Sequence, residues 1–63
     1  MKVYKINTDG SSVAVTSETS LSDEEVIKKA YDKDIIDTDN ANVEDITEDD
    51  DERQAFADVT YPI

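Results

Sequence analysis

The chain has 63 residues, seventeen acidic against six basic, for a net charge of -11, and it contains neither Cys nor His. That length holds one domain, residues 1–63, burying only about 60% of the surface its unfolded form exposes. Disulfides, thiolate nucleophiles, imidazole bases and zinc sites built on sulfur or nitrogen are excluded.

Residues 2–17 read as a β-hairpin, because Asp9-Gly10 is a two-residue type I′ turn signal between two runs of β-formers. With Asp9 and Gly10 as the loop, Ile6 falls opposite Val13 and Tyr4 opposite Val15, so four apolar side chains share one face. Val3, Lys5, Ala14 and Thr16 take the other. Leu21-Ser22-Asp23-Glu24-Glu25-Val26 then opens a helix: Ser22 as N-cap, Glu25 closing the capping box, and Leu21 placed to staple against Val26. The helix is predicted over 23–33, with Val26, Ile27, Ala30 and Tyr31 on its buried stripe and Lys28, Lys29 and Asp32 outside.

Ile35 and Ile36 either continue the buried edge of the helix or lead out of it, and Asp37 to Asn42 reads as a polar loop. A short strand is expected over Val43–Thr47. Thr47 is then expected to cap a short helix or turn through Glu48–Glu52, whose acids suit a helix N-terminus. Ala57, Val59, Tyr61 and Ile63 alternate with polar residues and Pro62, the pattern of a half-buried C-terminal strand. The expected fold is α+β: a small antiparallel sheet, made of the N-terminal hairpin plus the C-terminal strand, packed on one main helix. Its expected core is Tyr4, Ile6, Val13, Val15, Val26, Ile27, Ala30, Tyr31, Val59 and Tyr61.

Charge is unevenly spread. Residues 1–33 hold six acids and five bases, whereas residues 34–63 hold eleven acids and only Arg53. Such an asymmetry repels nucleic acid and anionic membrane and steers cationic surfaces inward. The expected partner is therefore a basic protein surface, with no direct contact to nucleic acid or membrane. The candidate partner-binding residues are Glu44, Asp45, Glu48, Asp49, Asp50, Asp51 and Glu52, seven carboxylates in nine positions. Such a run is either a solvated segment kept for solubility or a surface that imitates a nucleic-acid backbone, whose duplex form carries one charge per about 1.7 Å of axis.

A second reading is a calcium loop over 37–48, with Asp37, Asp39, Asp45 and Glu48 in an EF-hand-like register. Ala41 sits at a ligand position of that register and Asn42 where Gly makes the turn, and both depart from the pattern. Catalytic residues and cofactors are not expected, since a working carboxylate pair needs an enclosed apolar site to raise a pKa. Residues 1–20 carry no basic stretch leading into an apolar one, so no secretory signal is expected, and a cytoplasmic location is. So small a core is also compatible with a homodimer.

In size, charge and the stretch Val43-Glu44-Asp45-Ile46-Thr47-Glu48-Asp49-Asp50-Asp51-Glu52, the chain resembles small phage-encoded inhibitors of bacterial defence, the anti-CRISPR and anti-restriction proteins of the DNA-mimic type. The resemblance is one of composition and covers about half the chain. It implies a non-catalytic inhibitor presenting a nucleic-acid-like negative surface to the basic groove of a bacterial nuclease or defence complex.

Overall fold

The computed structural model describes residues 1–63 as six elements: β1 (Lys2–Thr8), β2 (Ser11–Ser17), α1 (Asp23–Asp32), β3 (Asn42–Asp45), α2 (Asp50–Ala55) and β4 (Thr60–Pro62). The four strands form one sheet in the order β3-β1-β2-β4. The hairpin has the expected register, with Ile6 opposite Val13 and Tyr4 opposite Val15. Its turn differs from expectation. Only Gly10 adopts a positive φ (105°), while Asp9 does not, the pattern of a type II rather than a type I′ turn. A residue with a Cβ resists the left-handed region, and Gly10 alone can supply it. The strand ends are held instead by side chains: the Thr8 and Ser11 hydroxyls lie 2.8 Å apart and Ser12 donates to Asn7 Oδ1 at 2.7 Å.

Helix α1 begins as its sequence dictates. The Glu25 amide donates to Ser22 Oγ at 3.3 Å, and Ser22 Oγ lies 3.2 Å from Glu25 Oε1. The helix ends in a Schellman motif. The Ile35 amide reaches the Ala30 carbonyl (2.9 Å) and the Asp34 amide the Tyr31 carbonyl (3.1 Å), with Asp34 at φ 60° in the position glycine usually takes. Val26 and Ala30 from α1 pack with Tyr4, Ile6, Val15 and Ile36 to make the core, and Leu21, Val13 and Ile27 lie against it half-buried. The buried Tyr4 hydroxyl accepts a hydrogen bond from the Leu21 amide (2.9 Å), so this polar atom is not left unpaired.

The C-terminal strand is shorter than its alternation suggests and runs parallel to β2, which makes the sheet mixed rather than wholly antiparallel. Both features follow from α2. A strand joining a sheet in parallel needs a crossover, and α2 is that crossover, carrying the chain from β3 at one edge to β4 at the other. Residues 56–59 are used in turning out of α2, with the Val59 amide on the Phe56 carbonyl (3.0 Å), so Ala57 and Val59 never enter the strand. Of the expected core, Tyr31 (48% exposed), Val59 (51%) and Tyr61 (44%) lie outside it, while Ala14, Ile36 and Ile46 are buried.

Two crossovers therefore decorate this sheet. One runs from β2 over β1 to β3 through α1, and the other runs back across the sheet to β4 through α2. Right-handed crossovers travelling in opposite directions place their helices on opposite faces. The helices lie that way: α1 covers the face of Tyr4, Ile6 and Val15, and α2 is tied to the face of Lys5. Ala14 and Ile46, buried but outside the cluster beneath α1, occupy this second face by strand parity. The face expected for Val3, Lys5, Ala14 and Thr16 is thus a second covered layer. No helix is long and apolar enough to cross a membrane.

Candidate acidic interaction surface

The crossover that fixes α2 also sorts the charges. Helix α1 presents Asp23, Glu24, Glu25 and Asp32 among Lys28, Lys29 and Lys33, a mixed surface. On the opposite face, Glu44 lies cross-strand from Lys5, and the chain then passes through Glu48 and Asp49 into α2 with Asp50, Asp51 and Glu52, so six of the seven acids of residues 44–52 come to that side, while Asp45, cross-strand from Tyr4, stands on the α1 side.

The seven carboxylates are not equivalent. Glu52 is tied to Lys5 Nζ at 3.1 Å, with the Lys5 ammonium 6.0 Å from the centre of the Phe56 ring. This half-buried pair fastens α2 to the sheet. Asp49 is the N-cap of α2, accepting from the Glu52 amide at 3.2 Å. The cap falls two residues after Thr47, because the Thr47 hydroxyl is engaged elsewhere: it accepts from the Val3 amide (2.9 Å) and lies 2.6 Å from Asp45 Oδ1. Asp45 Oδ1 also accepts the Thr47 amide at 2.9 Å. These two bonds from Thr47, with a smaller contribution from Lys2 Nζ 3.9 Å away, hold the Asp45 carboxyl below the usual aspartate range. Asp50 pairs with Arg53 one helical turn on.

Three carboxylates remain available. Glu44 is exposed and meets only the Asn7 amide group (3.2 Å), and the side chains of Glu48 and Asp51 are exposed and enter no hydrogen bond or ion pair. The residues expected to act as one cluster thus divide into Asp45, Asp49, Asp50 and Glu52, which build the fold locally, and Glu44, Glu48 and Asp51, which face solvent. Sequence reasoning could not assign Lys5, Phe56 or Thr47 to this region. The Lys5–Glu52 and Val3–Thr47 bonds span 47 and 44 residues of chain, and no local spacing signals them.

The four residues of the calcium register are separated. Asp37 lies near Thr8 and Ser11 of the hairpin turn, Asp39 beside Glu24 and Lys28 of α1, Asp45 is on β3 and Glu48 is beyond it. The 37–48 stretch is not one loop, because residues 42–45 are a ladder strand, and no three acidic side chains gather at a point that could hold a metal ion. Compared with known protein families, curated proteins and solved structures, the chain matches none of them.

Proposed function

We propose that the protein is a non-catalytic interaction protein, an inhibitor that lays its α2 side over the basic groove of a nucleic-acid-binding protein such as a bacterial nuclease or defence complex, in the cytoplasm of the host cell. One observation carries this reading: Glu44 and the acids that run through Glu48 into α2 lie on the α2 side of the sheet, opposite the mixed-charge face of α1, with Asp45 alone of the seven turned to the α1 side. A solvated tail kept for solubility needs no such scaffold. Here Glu44 is set on a ladder strand, Asp51 on a capped helix and Glu48 on the short turn that joins them, so the partner meets carboxylates already placed by the fold. Self-repulsion among them opposes folding, and neutralisation by a cationic groove relieves it.

The test is capture from a bacterial lysate with charge-reversed variants. Glu48→Lys with Asp51→Lys removes two carboxylates that hold no internal contact, and Asp23→Lys with Glu24→Lys does the same on α1. The reading expects the first pair to abolish capture of a nucleic-acid-binding protein and the second to leave it. The opposite pattern places the interface on α1 and ends the proposal.

A further inference from the structure

The two edges of the sheet differ in whether they can receive another strand. At β4, the register with β2 and the bond from the Ile63 amide to the Thr16 carbonyl (2.9 Å) turn the Tyr61 and Ile63 backbone inward, leaving Thr60 and Pro62 facing out. Pro62 has no amide hydrogen, so this edge lacks a donor that a fifth strand requires. At β3, the Ile46 amide donates to the Val3 carbonyl (2.9 Å), which makes Val3–Ile46, Lys5–Glu44 and Asn7–Asn42 the hydrogen-bonded pairs of the antiparallel ladder. The amides and carbonyls of Val43 and Asp45 therefore point away from the sheet, two complete donor–acceptor sets along an open edge.

Charge decides what can use that edge. Glu44 stands on its α2 side and Asp45 on its α1 side, and the chain continues directly into Glu48 and Asp51. A second copy of this chain, with its net charge of -11, is repelled. A cationic strand is attracted by the same residues. Resting on the docking reading above, we propose that the partner contributes an extended Lys/Arg-bearing segment that adds to the sheet as a fifth strand at β3. Its backbone pairs with Val43 and Asp45, and its basic side chains lie beside Glu44. Pro62 closes one edge to every strand, whereas acids close the other only to chains of like charge.

A short synthetic peptide alternating Lys and Val, which puts every Lys on one face of a strand, is titrated into the isotope-labelled full chain and followed by NMR. A second peptide is identical but N-methylated on the backbone amides of one edge, keeping charge while removing donors. The proposal expects the first peptide to slow exchange of the Val43 and Asp45 amide protons. It expects the second to bind roughly tenfold more weakly, the change that losing a hydrogen bond or two produces. Glu44→Lys should abolish binding of the first. Equal binding of both peptides with unchanged exchange at Val43 and Asp45 overturns the edge proposal and leaves the docking reading standing. No binding of either peptide at low salt overturns both.

Discussion

Asp34 stands where the chain leaves α1 with φ at 60°, closing the Schellman motif through its own amide and that of Ile35. Two terms oppose an aspartate there. The left-handed conformation costs an L-residue roughly 1–2 kcal/mol, and an anion beside a helix C-terminus costs about 0.3–1 kcal/mol. Asp34→Gly relieves both but adds about 0.5–1 kcal/mol of unfolded-state entropy. The net expectation is a stabilisation of about 1 kcal/mol, which in a domain of this size raises Tm by about 4–8 °C. Asp34→Asn keeps a residue tolerant of positive φ and removes only the charge, so it should gain about 0.5 kcal/mol. Asp34→Ala removes the charge but keeps the steric cost, so it should rank below both. Thermal and urea unfolding of the three variants measure this order, Gly above Asn above Ala. An Ala variant as stable as the Gly variant would refute the left-handed assignment of residue 34.

Thr47→Val leaves the Val3 amide without its acceptor and frees Asp45, and should destabilise by about 1–3 kcal/mol, whereas Thr47→Ser should retain most of that stability; equal urea midpoints for Val and wild type would exclude the hydroxyl as a link between β1 and the end of β3. Asp45 should titrate below the usual aspartate range in a carboxyl-carbon NMR titration. Because its folded pKa lies below its unfolded value near 3.9, its contribution to stability is present above that value and lost as pH falls through the folded pKa. In Thr47→Val that titration should move up toward the ordinary aspartate range. A double-mutant cycle of Lys5→Met and Glu52→Gln should give a coupling of about 0.5–1 kcal/mol, since the pair is only part-shielded; a coupling of zero would mean that α2 is held without it.

What could be read before the structure was whatever short-range chemistry determines. The Asp9-Gly10 turn with its matched strands and the Ser22–Glu25 box specify β1, β2 and α1 within a few neighbours, and all three stand where expected. Val59 and Tyr61 show where periodicity misleads, because alternation over 57–63 cannot distinguish a half-buried strand from a turn followed by an exposed three-residue edge. Helix α2 was legible only as a short helix or turn through 48–52, with its cap two residues early and its end at Ala55 missed, for a related reason. It buries no residue, so it has no apolar stripe, and its place depends on a distant lysine. The acidic stretch was visible as composition, but its division into fold-building and free carboxylates depends on Lys5, Thr47 and Arg53, which only the folded chain brings to it.

The most direct test of the docking account takes the protein captured from a bacterial lysate and measures its affinity for this chain as salt is raised, with duplex DNA as competitor. If Glu44, Glu48 and Asp51 stand in for phosphates, the affinity falls steeply with salt because ions held by each surface are released on binding. The slope is shallower for Glu48→Gln with Asp51→Gln, and duplex DNA displaces the chain. A flat salt response, or a complex in which DNA and this chain bind together, would contradict it.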